Sequence, residues 1–211
     1  MTKIKHHIPD AILAAYAAGS LPQPFAIVVA SHISLCVHCR GSYEAHQAVG
    51  GVILHGTETA EISNDLKSNI LTQLDDPFTP APIYDRSGVY PGPVVEALKG
   101  KEPRWKTLGM GVRQDILSAN KQGSLRLLYI PAGQAVPEHS HGGLELTLIL
   151  QGSFSDHTGQ FDVGDVEIGD PDLEHTPIAD PGDPCICLAA TDAPLRFKSL
   201  MPRLLQPLFK I

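Results

Sequence analysis

The sequence has no long hydrophobic run and no excess of positive charge. Of its 211 residues, 43% are hydrophobic and 18% are charged. No stretch approaches the roughly 18 uninterrupted apolar residues of a membrane span, and the polar start lacks the apolar core of a signal peptide. Lysine and arginine number 16 against 23 aspartate and glutamate, which gives a net charge of −7. We therefore expect a globular, cytoplasmic protein that does not enter a membrane and does not bind nucleic acid directly.

Cysteine is also scarce, which excludes a disulfide framework. The four cysteines form two close pairs, Cys36 with Cys39 and Cys185 with Cys187. A secreted chain of this length that depended on disulfides would need more cysteines. Cys185 and Cys187 lie two apart in an apolar run, so a strand would turn both toward one face, and we expect them to be buried there. The pair Cys36 and Cys39 favours metal or redox chemistry.

The N-terminal part of the chain has the pattern of a small helical bundle. Pro9 and Asp10 predict the start of a first helix and Gly19 its end, because proline favours the first turn and glycine the position after the last. Spacings of three and four from Pro24 to Cys39 predict a helix, or a helix with a tight continuation. A third helix is predicted over residues 40–54. Four apolar residues spaced four apart predict a fourth helix: Ile62, Leu66, Ile70 and Leu74.

A proline-rich segment separates this part from a region with the pattern of β-strands. The prolines of residues 81–104 remove backbone donors and disfavour helix at the preceding positions, so this segment is predicted to be a linker. After Trp105, short apolar runs punctuated by glycine predict an antiparallel sandwich or barrel. We therefore predict a multidomain α and β protein, with a helical domain over residues 1–80 and a β-domain over 105–211. Its apolar tail, residues 201–211, would pack as an edge strand or cap.

His32, Cys36 and Cys39 form a candidate metal site in the helical part. At positions i, i+4 and i+7 of a helix they would lie in one narrow stripe, and another segment would bring a fourth ligand. Two thiolates favour zinc, which would stabilise a helical unit that has few large apolar side chains. His7, just before the first helix, is the preferred fourth ligand. The alternatives are a chance pair or a redox dithiol, and the rival histidines are His6, His38 and His46.

The phrase Gly133-x5-His139-x-His141-x3-Glu145-x6-Gly152 is a second candidate metal site. Two histidines one residue apart on an extended segment point to the same side, and a glutamate on the next strand can join them. The glycines mark turns. This spacing resembles the first cupin motif, which implies that the C-terminal domain is a cupin double-stranded β-barrel, or jelly roll.

The second cupin motif is matched more loosely. Gly164, Asp165 and His175 stand where the family has them, but Asp172 replaces the usual glycine and Ala179 a frequent asparagine. The resemblance places His175 with the first-motif ligands at the mouth of the barrel. Three imidazoles and a carboxylate would hold zinc or another divalent transition metal. Four acidic neighbours could orient a substrate or activate water, or could simply be solvated: Glu138, Asp170, Asp172 and Glu174.

Both halves together resemble the ChrR family of zinc-dependent anti-sigma factors. The opening from His6 to Asp10, the segment from Ala14 to Gly19 and the segment from Val29 to Arg40 carry the resemblance. In that family a zinc-binding helical domain keeps an extracytoplasmic-function sigma factor from RNA polymerase, and the cupin-like domain is needed for release in response to singlet oxygen or related oxidants. The resemblance assigns His7, His32, Cys36 and Cys39 to zinc, and His139, His141, Glu145 and His175 to a second metal.

The residues leave three functional classes open. The leading hypothesis is an anti-sigma factor without enzymatic activity, whose metal-bearing cupin domain senses oxidative stress. The alternatives are a metal-dependent cupin enzyme, either a dioxygenase or a hydrolase, and a metal or small-ligand sensor that does not respond to oxidants. The apolar stripe from Ile62 to Leu74 could lie in a groove on a partner protein, or it could only close the helical bundle.

Overall fold

The protein consists of an N-terminal group of helices followed by a β-barrel. The computed structural model describes residues 3–74, 77, 80–86 and 88–198, so the predicted tail packing of residues 201–211 lies outside the described residues. Helices in the N-terminal region and a sheet-rich C-terminal region confirm the predicted fold class. The helices are α1 (Asp10–Ala17), α2 (Gln23–Leu35), α3 (Val37–His55), α4 (Leu66–Gln73) and α5 (Gly92–Ala97).

The chain turns sharply at Cys36, between α2 and α3. Cys36 has an extended backbone (φ −104°, ψ 107°), although its N–H still bonds the carbonyl of His32. Its Sγ accepts a hydrogen bond from the N–H of Cys39 and so caps the start of α3. The two helices are bent by 117° relative to each other. Of the two predicted alternatives, one helix or a helix with a tight continuation, the structure has the second, because Cys36 is the junction between α2 and α3.

Antiparallel strands build the barrel from one large sheet and two small ones. The large sheet has the order β1-β2-β3-β11-β5-β8, and the small sheets have the orders β10-β6-β7 and β12-β4-β9. The strands are β1 (Lys106–Gly109), β2 (Val112–Asn120), β3 (Gly123–Ile130), β4 (His139–His141), β5 (Glu145–Gln151), β6 (Ser153–Ser155), β7 (Gln160–Asp162), β8 (Val166–Gly169), β9 (Glu174–His175), β10 (Ile178–Ala179), β11 (Cys185–Thr191) and β12 (Leu195–Phe197).

The large sheet is covered on both faces, so its strands carry apolar residues on both sides. On β5, Leu146 and Leu148 pack in one cluster with Phe25 and Val28 of α2. Ile149 belongs to the other cluster, inside the barrel. Burial on both faces explains why the sequence shows short continuous apolar runs instead of alternation. The buried cysteines of β11 lie in the interior cluster, as predicted for a core strand: Cys185 and Cys187.

The proline-rich segment contains a helix that the sequence did not predict. Pro91 directly precedes α5, and the ring of Pro93 occupies its first turn, where a missing N–H leaves no intrahelical bond unmade. Val94 and Val95 are buried, and Val94 belongs to the same apolar cluster as α2. Residues 81–104 are therefore not only a linker, because α5 is part of the packing between the helices and the sheet.

The fourth helix is shorter than predicted and carries no buried side chain. Its prediction began at Ile62, whereas α4 begins at Leu66. The apolar stripe is open to solvent, with exposed fractions of 50% at Ile70 and 73% at Leu74. Within the described residues, no single helix is long and apolar enough to cross a membrane, and only the bent pair of α2 and α3 reaches that length and composition together.

Candidate functional site

The side chains predicted for the first metal site meet at the junction of α2 and α3. Donor atoms of His7, His32, Cys36 and Cys39 all lie within 4.8 Å of one another. The Nδ1 atom of His7 is 3.3 Å from Sγ of Cys36 and 3.6 Å from Sγ of Cys39. The sharp turn at Cys36 brings the last turn of α2 and the first turn of α3 to one point. Two histidines and two cysteines form the donor set of many tetrahedral zinc sites.

His32 is oriented for metal binding by a hydrogen bond to the barrel. Its Nδ1 lies 2.9 Å from the carbonyl oxygen of Gly164, which can only accept, so Nδ1 carries the proton. Its Nε2 is buried and has no hydrogen-bond partner among the described residues. Burial lowers the pKa of His32 to about 4, so the ring is neutral and Nε2 presents a lone pair. A buried lone pair next to two thiols fits a bound metal ion.

The thiols fit a cation for the same reason. Burial raises the pKa of Cys39 to about 11, and the neighbouring Cys36 adds to this effect. A divalent ion would replace the proton and compensate the buried thiolate charge. The rival histidines are not part of the group: Nε2 of His6 bonds the carbonyl of Gln160, and His46 faces Asp10 at 3.6 Å. His38 lies beside His7, with ring centres 4.6 Å apart, but it is also outside the group.

Three histidines of the predicted second site converge inside the barrel mouth. His139 and His141 both lie on β4, and His139 is paired with His175 of the neighbouring strand β9. The Nε2 atom of His175 is 3.1 Å from Nε2 of His139 and 3.2 Å from Nε2 of His141. All three rings are buried. Three imidazole nitrogens at this separation can bind one divalent ion together.

The predicted fourth ligand, Glu145, is not part of this converging group. Its Oε2 lies 3.7 Å from Nδ1 of His141, on the opposite edge of that ring from the other histidines. Thr147 donates a hydrogen bond to its Oε1. Burial alone would raise the pKa of Glu145, but the interactions with His141 and with the other neighbours outweigh burial and lower it. The carboxylate is therefore ionised beside the histidines, within the same cavity.

Two carboxylates that the sequence analysis missed contact His175. Its Nδ1 is 2.7 Å from Oδ2 of Asp156 and 3.2 Å from Oε1 of Glu167. They fix the proton on Nδ1, so that Nε2 faces the other histidines as an acceptor. Neither carboxylate has a local sequence signal, since Asp156 lies in the turn after β6 and Glu167 on β8. The acidic residues named from the sequence are exposed and hold loops: Asp170 caps the N–H groups of residues 172 and 173, and Glu138 and Glu174 both pair with Lys198.

Two of the three histidines, His139 and His175, border a cavity of about 320 Å³ inside the barrel. Apolar side chains form most of its wall, including Leu128, Val136 and Phe154. The polar side chains at its surface are few, and one of them is Arg126, which bonds Gln114 and Ser124. A bound ion would therefore face a largely apolar space that can admit a small molecule.

The architecture defines a cupin barrel that carries a helical His/Cys group able to hold a metal ion. A family model described as the ChrR cupin-like domain matches residues 96–194, beginning within α5. The anti-sigma-E factor ChrR of Cereibacter sphaeroides is 50% identical over 220 residues, covering 99% of this chain and 99% of that protein. A chain in the crystal structure of Rhodobacter sphaeroides SigE in complex with the anti-sigma ChrR is 48% identical, with a TM-score of 0.81, covering 90% of this chain and 100% of that chain.

The chain therefore belongs to the ChrR family of anti-sigma factors. The family resemblance expected from the sequence is confirmed over nearly the whole chain.

Replacing Cys39 with serine should remove one metal ion from the protein. A serine hydroxyl does not ionise readily and binds zinc poorly, so the remaining three donors cannot complete a tetrahedral site. The measurement is elemental analysis of the purified full chain. Cys185→Ala is the matched control, because Cys185 is an equally buried cysteine outside the group. Equal metal content in Cys39→Ser and the parent protein would contradict this assignment.

Replacing Asp156 with asparagine should weaken metal binding in the barrel without affecting the helical site. The amide keeps the shape of the side chain but no longer supplies the negative charge that orients and polarises His175. Loss of such a partner lowers metal affinity by about 10-fold to 100-fold. Competition with a chelator would measure this affinity, with Asp170→Asn as the control on an exposed loop. An unchanged affinity would show that Asp156 does not support the metal.

Proposed function

We propose that this protein is an anti-sigma factor that binds an extracytoplasmic-function sigma factor through its zinc-binding helices and releases it under oxidative stress. The observation that carries the proposal is the meeting of His7, His32, Cys36 and Cys39 in a chain similar over 90% of its length to one in a sigma and anti-sigma complex. The alternative of a metal-dependent enzyme is disfavoured, because the matched relatives are named as regulators. The protein would act in the cytoplasm, where sigma factors meet RNA polymerase.

An exposed apolar surface on α3 and α4 supports the binding of a partner. The second half of α3 exposes Val52 by 74% and Leu54 by 75%, and α4 has no buried residue. The alternative that the stripe closes the helical bundle is disfavoured by this exposure. Amphipathic helices of this kind commonly lie in grooves on other proteins. The surface comprises Val49, Val52, Ile53, Leu54, Leu66, Ile70, Leu71 and Leu74.

Zinc at the junction of α2 and α3 would hold the helices that present this surface. The apolar contacts of α3 are limited, since Cys39 is its buried residue and most of the helix is exposed. A metal ion bound by side chains on both sides of the junction would therefore supply much of the free energy that fixes the direction of α3 relative to α2. The barrel site, with zinc or another divalent transition metal, would be the sensor of singlet oxygen or related oxidants. Its cavity of about 320 Å³ gives a small reactive molecule access to the histidines.

Replacing Ile70 with aspartate tests the binding surface. A charge at a position that becomes desolvated in the complex should weaken sigma binding by at least about 2 kcal/mol, or about 30-fold. The measurement is the affinity of the full chain for its cognate sigma factor, together with inhibition in a reconstituted transcription assay. Asn69→Asp, the same charge at the preceding exposed position, is the control and should bind normally. If both variants bind like the parent, α4 is not the docking surface.

Replacing His139 with alanine tests the sensor. Without this ligand the barrel site cannot hold its metal, so the oxidant should lose its effect on inhibition. The measurement is sigma-dependent transcription with and without photochemically generated singlet oxygen. The ratio of transcription with the oxidant to transcription without it should fall toward one. Glu138→Ala, which alters only an exposed pair with Lys198, should respond like the parent. A normal response in His139→Ala would remove the barrel metal from the mechanism.

A further inference from the structure

The turn between β7 and β8 binds the N-terminal segment that leads to His7. We call residues 162–166 the β7–β8 corner. Within it, Asp165 is fully buried, and its Oδ1 accepts hydrogen bonds from the backbone N–H groups of Lys5 at 2.6 Å and His6 at 2.8 Å. Its Oδ2 accepts from the N–H of Asp162. In addition, the N–H of Val166 donates to the carbonyl of His6. The corner therefore bonds both the backbone N–H and the backbone carbonyl of His6, the residue immediately before His7.

The same corner also holds His32. The carbonyl of Gly164 accepts the hydrogen bond from its Nδ1. Gly164 has a φ of +93°, and a Cβ at this position would lie 2.7 Å from Cδ1 of Ile4. The positive φ favours glycine at this position, and the absence of a Cβ leaves room for the side chain of Ile4. Two of the four side chains in the helical metal group, His7 and His32, are thus positioned by consecutive residues of the barrel.

The strand that continues from the corner reaches the other metal group. On β8, Val166 packs in the cluster that the helices share with the sheet. The next residue, Glu167, points to the opposite face, lines the barrel cavity and lies 3.2 Å from Nδ1 of His175. Residues 164–167 therefore contact both groups, with no intervening element. A shift of Glu167 after a change at His175 would move Asp165 through the backbone of two residues.

We infer that the β7–β8 corner couples the two metal groups: Gly164 and Asp165 are positioning residues for the helical group, and loss of the barrel metal loosens the helical metal through Glu167. The inference rests on the metal-binding part of the proposed function and deepens it. Hydrogen bonds from backbone N–H groups to a buried carboxylate are strong and geometrically specific, so they transmit a small displacement. Coupling between binding sites is reciprocal, so the metal in the helical group also tightens binding in the barrel.

Metal release from the helical group tests the positioning role. The full chain is loaded with Co²⁺, and release into excess chelator is followed by the thiolate-to-cobalt absorption band, which reports a site that contains cysteine. Lys5→Pro removes one N–H donor to Asp165 together with the ion pair to Asp162, and Lys5→Ala keeps that donor while losing the same ion pair. We expect release about tenfold faster in Lys5→Pro, by analogy with other supporting contacts of metal ligands. Lys5→Ala should release at the parental rate.

A second variant and a spectroscopic readout separate positioning from general stability. Asp165→Asn keeps the volume of the buried side chain, but its single acceptor oxygen cannot serve both the N-terminal segment and Asp162. Its release rate should also rise. The d–d bands of bound cobalt, which report the ligand geometry, should shift in Lys5→Pro and Asp165→Asn and remain unchanged in Lys5→Ala. Parental bands and rates in both test variants would overturn the positioning role.

A double-mutant cycle tests the coupling itself. His139→Ala empties the barrel group and should speed cobalt release from the helical group by about tenfold in the parent background, the size expected for a lost supporting contact. In the Lys5→Pro background it should add little, because the connection is already broken. Equal effects in both backgrounds, or no effect in either, would overturn the inference while leaving both metal sites in place. A parent protein that binds no cobalt through its cysteines would instead overturn the metal-binding part of the proposed function and the inference with it.

Discussion

The anchoring of the His32 ring to the barrel is the constraint on which the rest of the structure depends. One nitrogen bonds the carbonyl of Gly164, 132 residues away in the chain, and the other is left for the group that contains the two thiols. Rotation of α2 on the sheet would break the bond to Gly164 and would move Nε2 away from the two thiols. The buried side chains of Phe25 and Val28 fix the same orientation by packing against the barrel. The helical group and the barrel are therefore parts of one packed unit.

The two candidate metal groups lie on opposite faces of a single sheet, and this arrangement follows from strand alternation. On β5, Leu146 and Leu148 face the helices, whereas Glu145 and Thr147 line the cavity. A chemical change inside the barrel is thus separated from the helices by the thickness of one sheet. Protein interiors are closely packed, so such a sheet transmits a displacement instead of absorbing it. Regulation of one group by the other does not require a flexible linker between independent domains.

The sequence predicted features whose signal is local, and it missed those that arise only when distant segments meet. Closely spaced histidines and cysteines revealed both candidate groups, and a proline near a helix start allowed α1 to be found. The sequence left open whether the segment from Pro24 to Cys39 is one helix or a helix with a tight continuation, because a spacing of i, i+4 and i+7 fits a continuous helix equally well. Asp156 and Glu167 were missed because each contacts His175 from a different strand. The helix α5 was missed because proline suggests a linker, although its first turn tolerates proline.

The position of Cys36 connects metal binding to partner binding. The Sγ atom of this residue belongs to the candidate metal group, and the same residue is the junction between α2 and α3. The exposed apolar side chains Val52 and Leu54 lie at the far end of α3, about 25 Å from the junction at 1.5 Å per residue. A small change of angle at Cys36 is therefore magnified at the surface proposed to bind the sigma factor. Oxidation or loss of the metal would not need to unfold the helices, because misdirecting α3 would be enough to separate the two halves of that surface.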